Sequence, residues 1–228
     1  MAADPPVASE PSSTRASNGS RRRLPPEERK AQLLETALAV FARRGFGRAG
    51  HAEIAEAAGV AVSTVFLYFK TREALVDAVL AEVGRFYLDL ALRVHQQEKP
   101  CREILVDHRL AFHESLDSHP HHARLALDWS TALREELWPR YIEFTDRLVA
   151  NHVRTILRGQ AEGDVAASVD PETSARMLIA SAQMTAQQRL AGADPAMADR
   201  MALLFIDAAL GRVLPADAPA PREEPARG

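Results

Sequence analysis

Three things are scarce in this 228-residue chain: cysteine, aromatic side chains and long apolar runs. There is one cysteine, Cys101, so an internal disulfide is excluded and a disulfide-stapled secreted scaffold is not expected. Aromatic residues make up only 6%, and the apolar content comes mainly from alanine and leucine. These lose little conformational entropy in a helix, which favours an all-helical fold over a sheet. No stretch approaches the 18 uninterrupted apolar residues of a membrane span, and no apolar segment follows a basic start as in a secretory leader. A cytoplasmic protein with no membrane association is the expectation. Gly-x-Ser-x-Gly, P-loop and dinucleotide fingerprints are missing too, and Cys101 has no evident base partner, so catalytic residues and an enzymatic role are not expected.

Net negative charge of the whole, −3, hides a strong polarity along the chain. Between Arg15 and Arg72 stand eleven Lys/Arg against five Asp/Glu, a local +6, which leaves −9 for the rest. A basic head on an acidic body suits a protein whose one end faces phosphates, although a solvated charged surface gives the same count.

Residues 1–20, rich in Pro, Ala and Ser, are expected to be a disordered tail, as are residues 214–228 with their prolines. Between them the reading is almost continuously helical. Leu34, Ala37, Leu38 and Phe41 repeat at the spacing of one buried stripe, which predicts a helix over Pro26–Arg44, stopped by Gly45 and Gly47. Short helices over Ala52–Ala58 and Val62–Phe69 follow. Thr71 caps a long helix from Arg72 to about Glu98, while Pro100, Pro120 and Pro139 mark later starts. Asp170-Pro171-Glu172 opens a helix to Leu190, and the last runs from Pro195 to Arg212.

The segment His51–Phe69 carries the sharpest local signal. Ala55 is small where two helices would cross, and Gly59 supplies the positive φ of a tight turn. Ile54, Ala58, Val60 and Val65 take inward positions, which leaves Ser63, Thr64, Leu67 and Tyr68 pointing outward. A second helix so placed reads bases in the major groove, although a helical hairpin without a DNA role has the same pattern. His51 and Lys70, at the two ends, are candidate DNA contacts, and Lys70 and Arg72 suit phosphates. Arg21, Arg22 and Arg23 form an arm able to enter a minor groove, or simply a basic tail. Phe66 could link the body to the DNA helices, but simple packing beneath the headpiece is the preferred reading.

The runs Ala39–Gly45, Ile54-Ala55, Ala58-Gly59-Val60 and Tyr68-Phe69 resemble the TetR-family DNA-binding domain. More narrowly, Phe41–Glu56, Ser63–Leu80 and Trp129–Pro139 resemble the HapR/LuxR-type quorum-sensing master regulators of vibrios. The likeness covers roughly Arg21–Arg212 and is densest over Leu38–Leu80. It implies nine helices: a helix-turn-helix domain of three (residues 21–71) and a regulatory and dimerisation domain of six (residues 72–213). It also implies DNA contacts from Arg21, Arg23 and the recognition helix, a homodimer, and an apolar effector cavity with no cofactor. Leu67 departs from the pattern, standing where the vibrio proteins place Asn. Leu offers apolar contact to a thymine methyl rather than hydrogen bonds to adenine. Gly50 replaces a Ser or Thr helix cap, and Glu53 supports that helix start.

The final helix is apolar on more than one side, with Leu203, Ile206 and Leu210 on one stripe and Ala198, Met201, Ala202, Phe205, Ala208 and Ala209 on another. With the small Ala175, Ala182 and Ala186 before it, this suggests a two-fold interface through the last two helices; a monomer burying both faces is the other reading. Tyr87, Leu90, Ala126, Trp129 and Thr145 are candidate cavity-lining residues, or plain core. By the resemblance, Ala126 and Thr145 replace Trp and Asn, which changes the cavity's shape. The histidines at 108, 113, 119, 121 and 122 cluster in sequence, but without a Cys pair or a His-Glu-x-x-His motif they read as a solvated loop, and no metal site is expected. A DNA-binding regulator is the leading reading. A ligand-binding helical dimer with weak operator affinity and a metal-dependent or hydrolytic enzyme are the alternatives.

Overall fold

The computed structural model describes residues 24–132 and 137–212. The expected tails, the Arg21–Arg23 arm and residues 133–136 lie outside the described residues. Among those described the chain is all-α, with nine helices and no strand. They are α1 (Pro26–Arg44), α2 (His51–Ala58), α3 (Val62–Tyr68), α4 (Arg72–His95), α5 (Cys101–Ser118), α6 (Pro120–Ser130), α7 (Trp138–Glu162), α8 (Pro171–Leu190) and α9 (Pro195–Ala209).

Local chemistry sets most of the boundaries. Thr71 Oγ1 accepts from the Ala74 N–H at 3.1 Å, and Asp170 Oδ2 from the Thr173 N–H at 2.8 Å. Each satisfies one of the orphan donors of a first turn. Differences from expectation fall at the ends. Helix α4 stops at His95 rather than Glu98, where the Gln96 and Gln97 amides close onto Leu92 and Val94. Helix α9 stops at Ala209, because Gly211 turns away with φ +65°.

Helices α1–α3 form a headpiece and α4–α9 a body, but the apolar core does not divide at residue 71. Leu33, Ala37 and Phe41 of α1, Ile54 and Ala55 of α2 and Val65 of α3 share one continuous cluster with Leu75, Val79 and Val83 of α4. Leu125 and Trp129 of α6 extend it. A second cluster joins α5, α7, α8 and α9 around Ile156, Ala175 and Ile206. Gly159 lets α7 approach the start of α5, since a Cβ there would lie 2.7 Å from Cys101 Cβ and 2.8 Å from Val165 Cγ2.

The last two helices depart from expectation in which residues face where. Ala175 and Ala186 are fully buried within the protomer, so they are core rather than interface. The outward apolar residues are Met177 and Leu190 on α8 and Met197 and Leu204 on α9, all exposed. In α9 the inward stripe is Ala198, Ala202, Ile206 and Ala209.

Candidate nucleic-acid interface and effector cavity

Helices α2 and α3 meet at Gly59, which adopts φ +64° and ψ +39°, a left-handed conformation that L side chains enter only at a cost. Its N–H closes on the Glu56 carbonyl at 3.2 Å, and the Val60 N–H reaches Ala55 at 3.0 Å. Ile54 and Val65, both fully buried, hold the pair together. On α3, Val65 and the following Phe69 turn inward. Ser63 and Leu67 turn out, with Thr64 and Tyr68 half-buried on the flank. Leu67 is 78% exposed, the most exposed large apolar side chain described. Lys70 is also exposed, as are Arg43, Arg44 and Arg48 near the end of α1.

Two sequence expectations need correction. His51 is not an outward DNA contact: its ring is buried, and its Nε2–H donates to the Phe69 carbonyl at 2.7 Å. Phe66 does not pack beneath the headpiece. It is 46% exposed and stacks on His51, with ring centroids 3.9 Å apart and planes 6° apart. The first residue of α2 thus clasps the far end of α3 and fixes its orientation. Arg72 is likewise engaged internally, donating to the Phe46 carbonyl in the loop after α1.

In the body, a cavity of about 90 Å³ lies between α4, α5, α6, α7, α8 and α9. Of the five residues expected to line it, Tyr87 and Ala126 do. Leu90 is buried elsewhere, and Thr145 is a half-buried side chain whose Oγ1 has no hydrogen-bond partner. Trp129 instead faces an outer cleft with Asp77 and Arg140; it donates Nε1–H to the Leu137 carbonyl and stacks on Phe144 at 5.2 Å. The wall residues missing from the sequence reading include Phe112, Tyr141, Leu178 and Gln183. Gln183 donates to the Tyr141 hydroxyl. Tyr87 pairs with Ser115 Oγ at 3.1 Å, and burial pushes its phenol up to about 12. Arg109 also lines the cavity. It reaches Asp199 at 2.5 Å, while its buried Nε is left without a partner.

The expected solvated histidine loop is instead helical except at His119, and it does not converge: His113 on α5 is buried beside Thr185 Oγ1 at 3.1 Å, His119 and His121 are exposed, and His119 and His122 pack on Phe86. A different trio meets instead, His95, His108 and His152. Burial holds all three imidazoles below their ordinary range, His152 at about 4, so they are neutral at pH 7. No sequence spacing links them.

A helix-turn-helix with a solvent-facing second helix, carried on a six-helix body, defines a bacterial transcription regulator. The model for bacterial regulatory proteins of the tetR family matches residues 33–79. The chain is 38% identical over 159 residues, 69% of its length and 77% of the relative's, to the HTH-type transcriptional regulator LuxR of Vibrio harveyi. The chain therefore belongs to the TetR family and is a DNA-binding transcription regulator. A shorter match, 44% identity over 68 residues (29% of this chain, 31% of the relative), is to the HTH-type transcriptional activator FasR of Mycolicibacterium smegmatis. Among solved structures, Salmonella enterica GusR superposes with a TM-score of 0.70 at 19% identity, over 82% of this chain and 98% of that one. Bacillus subtilis FadR in complex with stearoyl-CoA gives 0.67 at 17%, over 81% and 99%. These last two likenesses concern the fold.

Proposed function

We propose that the protein controls promoters by binding a duplex operator as a homodimer, with the Ser63–Leu67 face of α3 in the major groove of each half-site. The observation that carries this reading is the exposure of Leu67 at 78% beside exposed Ser63 and Lys70, on a helix held rigid by the His51 clasp. Thr64 and Tyr68 flank the base-reading face, and Lys70 binds phosphate. Arg21 and Arg23 supply the minor-groove arm. The two protomers pair through α8 and α9, whose outward Met177, Leu190, Met197 and Leu204 are apolar and exposed. Full burial of such a side chain is worth about 1.5–3 kcal/mol, and with a third to a half of each still exposed the interface gains roughly half of that or less from each one.

The body cavity takes a small apolar effector. At about 90 Å³ it is well below the roughly 300–1,000 Å³ of drug-sized sites, so a larger ligand requires α5 and α7 to separate. The resemblance to the vibrio quorum-sensing regulators supports a place in density-dependent control.

The test is selection of duplexes from a random pool by the full-length protein, then fluorescence anisotropy on the selected and a scrambled duplex across a salt series. A selected sequence bound at least a hundredfold tighter than the scrambled one, with affinity falling steeply with salt, supports the reading. Equal binding of both at low salt would sink it.

A further inference from the structure

Three helices, α4, α5 and α7, each bring one histidine to a common point in the body. His95 Nε2 lies 3.0 Å from His108 Nδ1, which lies 3.2 Å from His152 Nε2. One donor atom from each residue lies within 4.8 Å of the other two. Two of the three outer nitrogens are already engaged: His152 Nδ1–H donates to the Leu148 carbonyl at 3.0 Å, and His95 Nδ1 pairs with Thr155 Oγ1 at 2.8 Å.

Counting protons shows that the trio is not self-satisfied. A neutral imidazole carries one N–H, and in His152 it is spent on Leu148, so Nε2 there is a bare lone pair. When Thr155 accepts from His95 Nδ1, His95 Nε2 is bare as well, and the single proton on His108 Nδ1 cannot point at both. In the other tautomer His95 Nε2–H donates to His108 Nδ1, and the lone pairs of His108 and His152 then face one another. Each arrangement leaves at least one inward lone pair without a donor, a shortfall that a metal ion accepting all three lone pairs removes.

We propose that His95, His108 and His152 form a binding site for a divalent transition-metal ion of the Zn²⁺ class. Zinc–imidazole bonds of about 2.0–2.1 Å in a tetrahedron set ligand nitrogens about 3.3 Å apart, close to the 3.0 and 3.2 Å of two of these pairs. A neutral, all-nitrogen donor set selects Zn²⁺, Co²⁺, Ni²⁺ or Cu²⁺ over Mg²⁺ or Ca²⁺. The Leu148 carbonyl and Thr155 hydroxyl fix ring orientation, as outer hydrogen bonds do at metal-bound imidazoles. Arg154 and Arg158 oppose a cation near His95, but Arg154 is turned onto Asn151 and Arg158 onto the carbonyls of Gln97 and Lys99. His108 and His152 also line the cavity, so the fourth ligand comes from there, as water or as a donor atom of the cavity's occupant. A bound ion ties the C-terminal end of α4, the helix that follows the headpiece, to α5 and α7. The assignment does not depend on operator binding.

Full-length protein, freed of any purification tag and stripped with chelator, is titrated with Co²⁺ and then Zn²⁺. The expected result is one Co²⁺ per protomer with a visible d–d absorption, displaced by Zn²⁺. The melting temperature should rise by roughly 5–10 °C at a hundredfold excess over Kd. His108→Ala and His152→Gln abolish both signals, while His121→Ala, on the exposed first turn of α6, keeps them. Folded wild-type protein with neither absorption nor thermal shift at millimolar metal overturns the proposal, and so does an absorption that persists in His108→Ala. Should either ligand variant fail to fold, the wild-type titration decides alone.

Discussion

Replacing Leu67 with Asn changes what α3 can say to DNA while leaving the fold alone. The side chain is 78% exposed and outside the core clusters, so the substitution removes no packing, and stability changes by no more than about 0.5 kcal/mol. On DNA the two residues differ sharply. Leu against a thymine methyl gains only apolar contact, whereas Asn pairs with adenine N6 and N7, a discrimination of about 1–3 kcal/mol per base. At about 1.4 kcal/mol per factor of ten, that is roughly 5–150-fold for each half-site. Parallel selection from random duplexes should give the variant an adenine that the wild type does not require, in both half-sites. Anisotropy at fixed salt should show the variant preferring its own duplex by at least fivefold. Identical selected sequences and affinities for the two proteins would mean that position 67 never reaches a base, and the orientation assigned to α3 would be wrong.

Removing the clasp with His51→Ala should cost about 1–3 kcal/mol, since it deletes a buried hydrogen bond and leaves a cavity; thermal melts and operator titration should both fall, with dimerisation intact. Gly159→Ala sets overpacking of about 1–3 kcal/mol against a helix-propensity gain of about 1 kcal/mol. Because the new Cβ would meet Cys101 and Val165 below 3.0 Å, a lower melting temperature is expected. Met177→Lys with Leu204→Lys should convert the dimer to a monomer in sedimentation velocity, and an unchanged dimer would place the interface elsewhere. His113 supplies a pH dependence. Burial, with Arg109 and Arg189, holds its imidazole below the ordinary value, and its Nδ1 has no partner to receive a proton. Its folded value is depressed, so its contribution is complete above about pH 6.5, the unfolded value, and is lost as pH falls below it. His113→Gln should melt with a flatter profile between pH 7.5 and 5.5.

Local chemistry was the legible part of this sequence. Helix α1, the Gly59 turn, the Thr71 and Asp170 caps and the inward Ile54 and Val65 all follow from spacings of a few residues. Those are the distances over which periodicity and capping act. What was hidden depends on contacts between distant segments. His51 sits where a recognition motif begins, and only the position of the Phe69 carbonyl, 18 residues on, turns its ring inward. Ala175 and Ala186 share the small-residue pattern of an interface, yet the packing of α8 within the protomer claims them. The conspicuous histidines from His108 to His122 read in sequence as a solvated loop with no metal site, yet α5 and α6 take up all of them but His119. The convergent trio spans α4, α5 and α7, with separations of 13 and 44 residues, and no local pattern signals it. Cavity residues such as Leu178 and Gln183 come from α8, whose small residues point in sequence to a dimer interface instead.

Chemical-protection footprinting of the protein on the duplex it selects puts the account of α3 to its most direct test. Two major-groove windows should be protected on one face of the duplex, related by two-fold symmetry and centred about 10–10.5 base pairs, or a whole multiple of that, apart. Protection that spreads evenly whatever the sequence, or a single window unaffected by changes at Leu67, would contradict it.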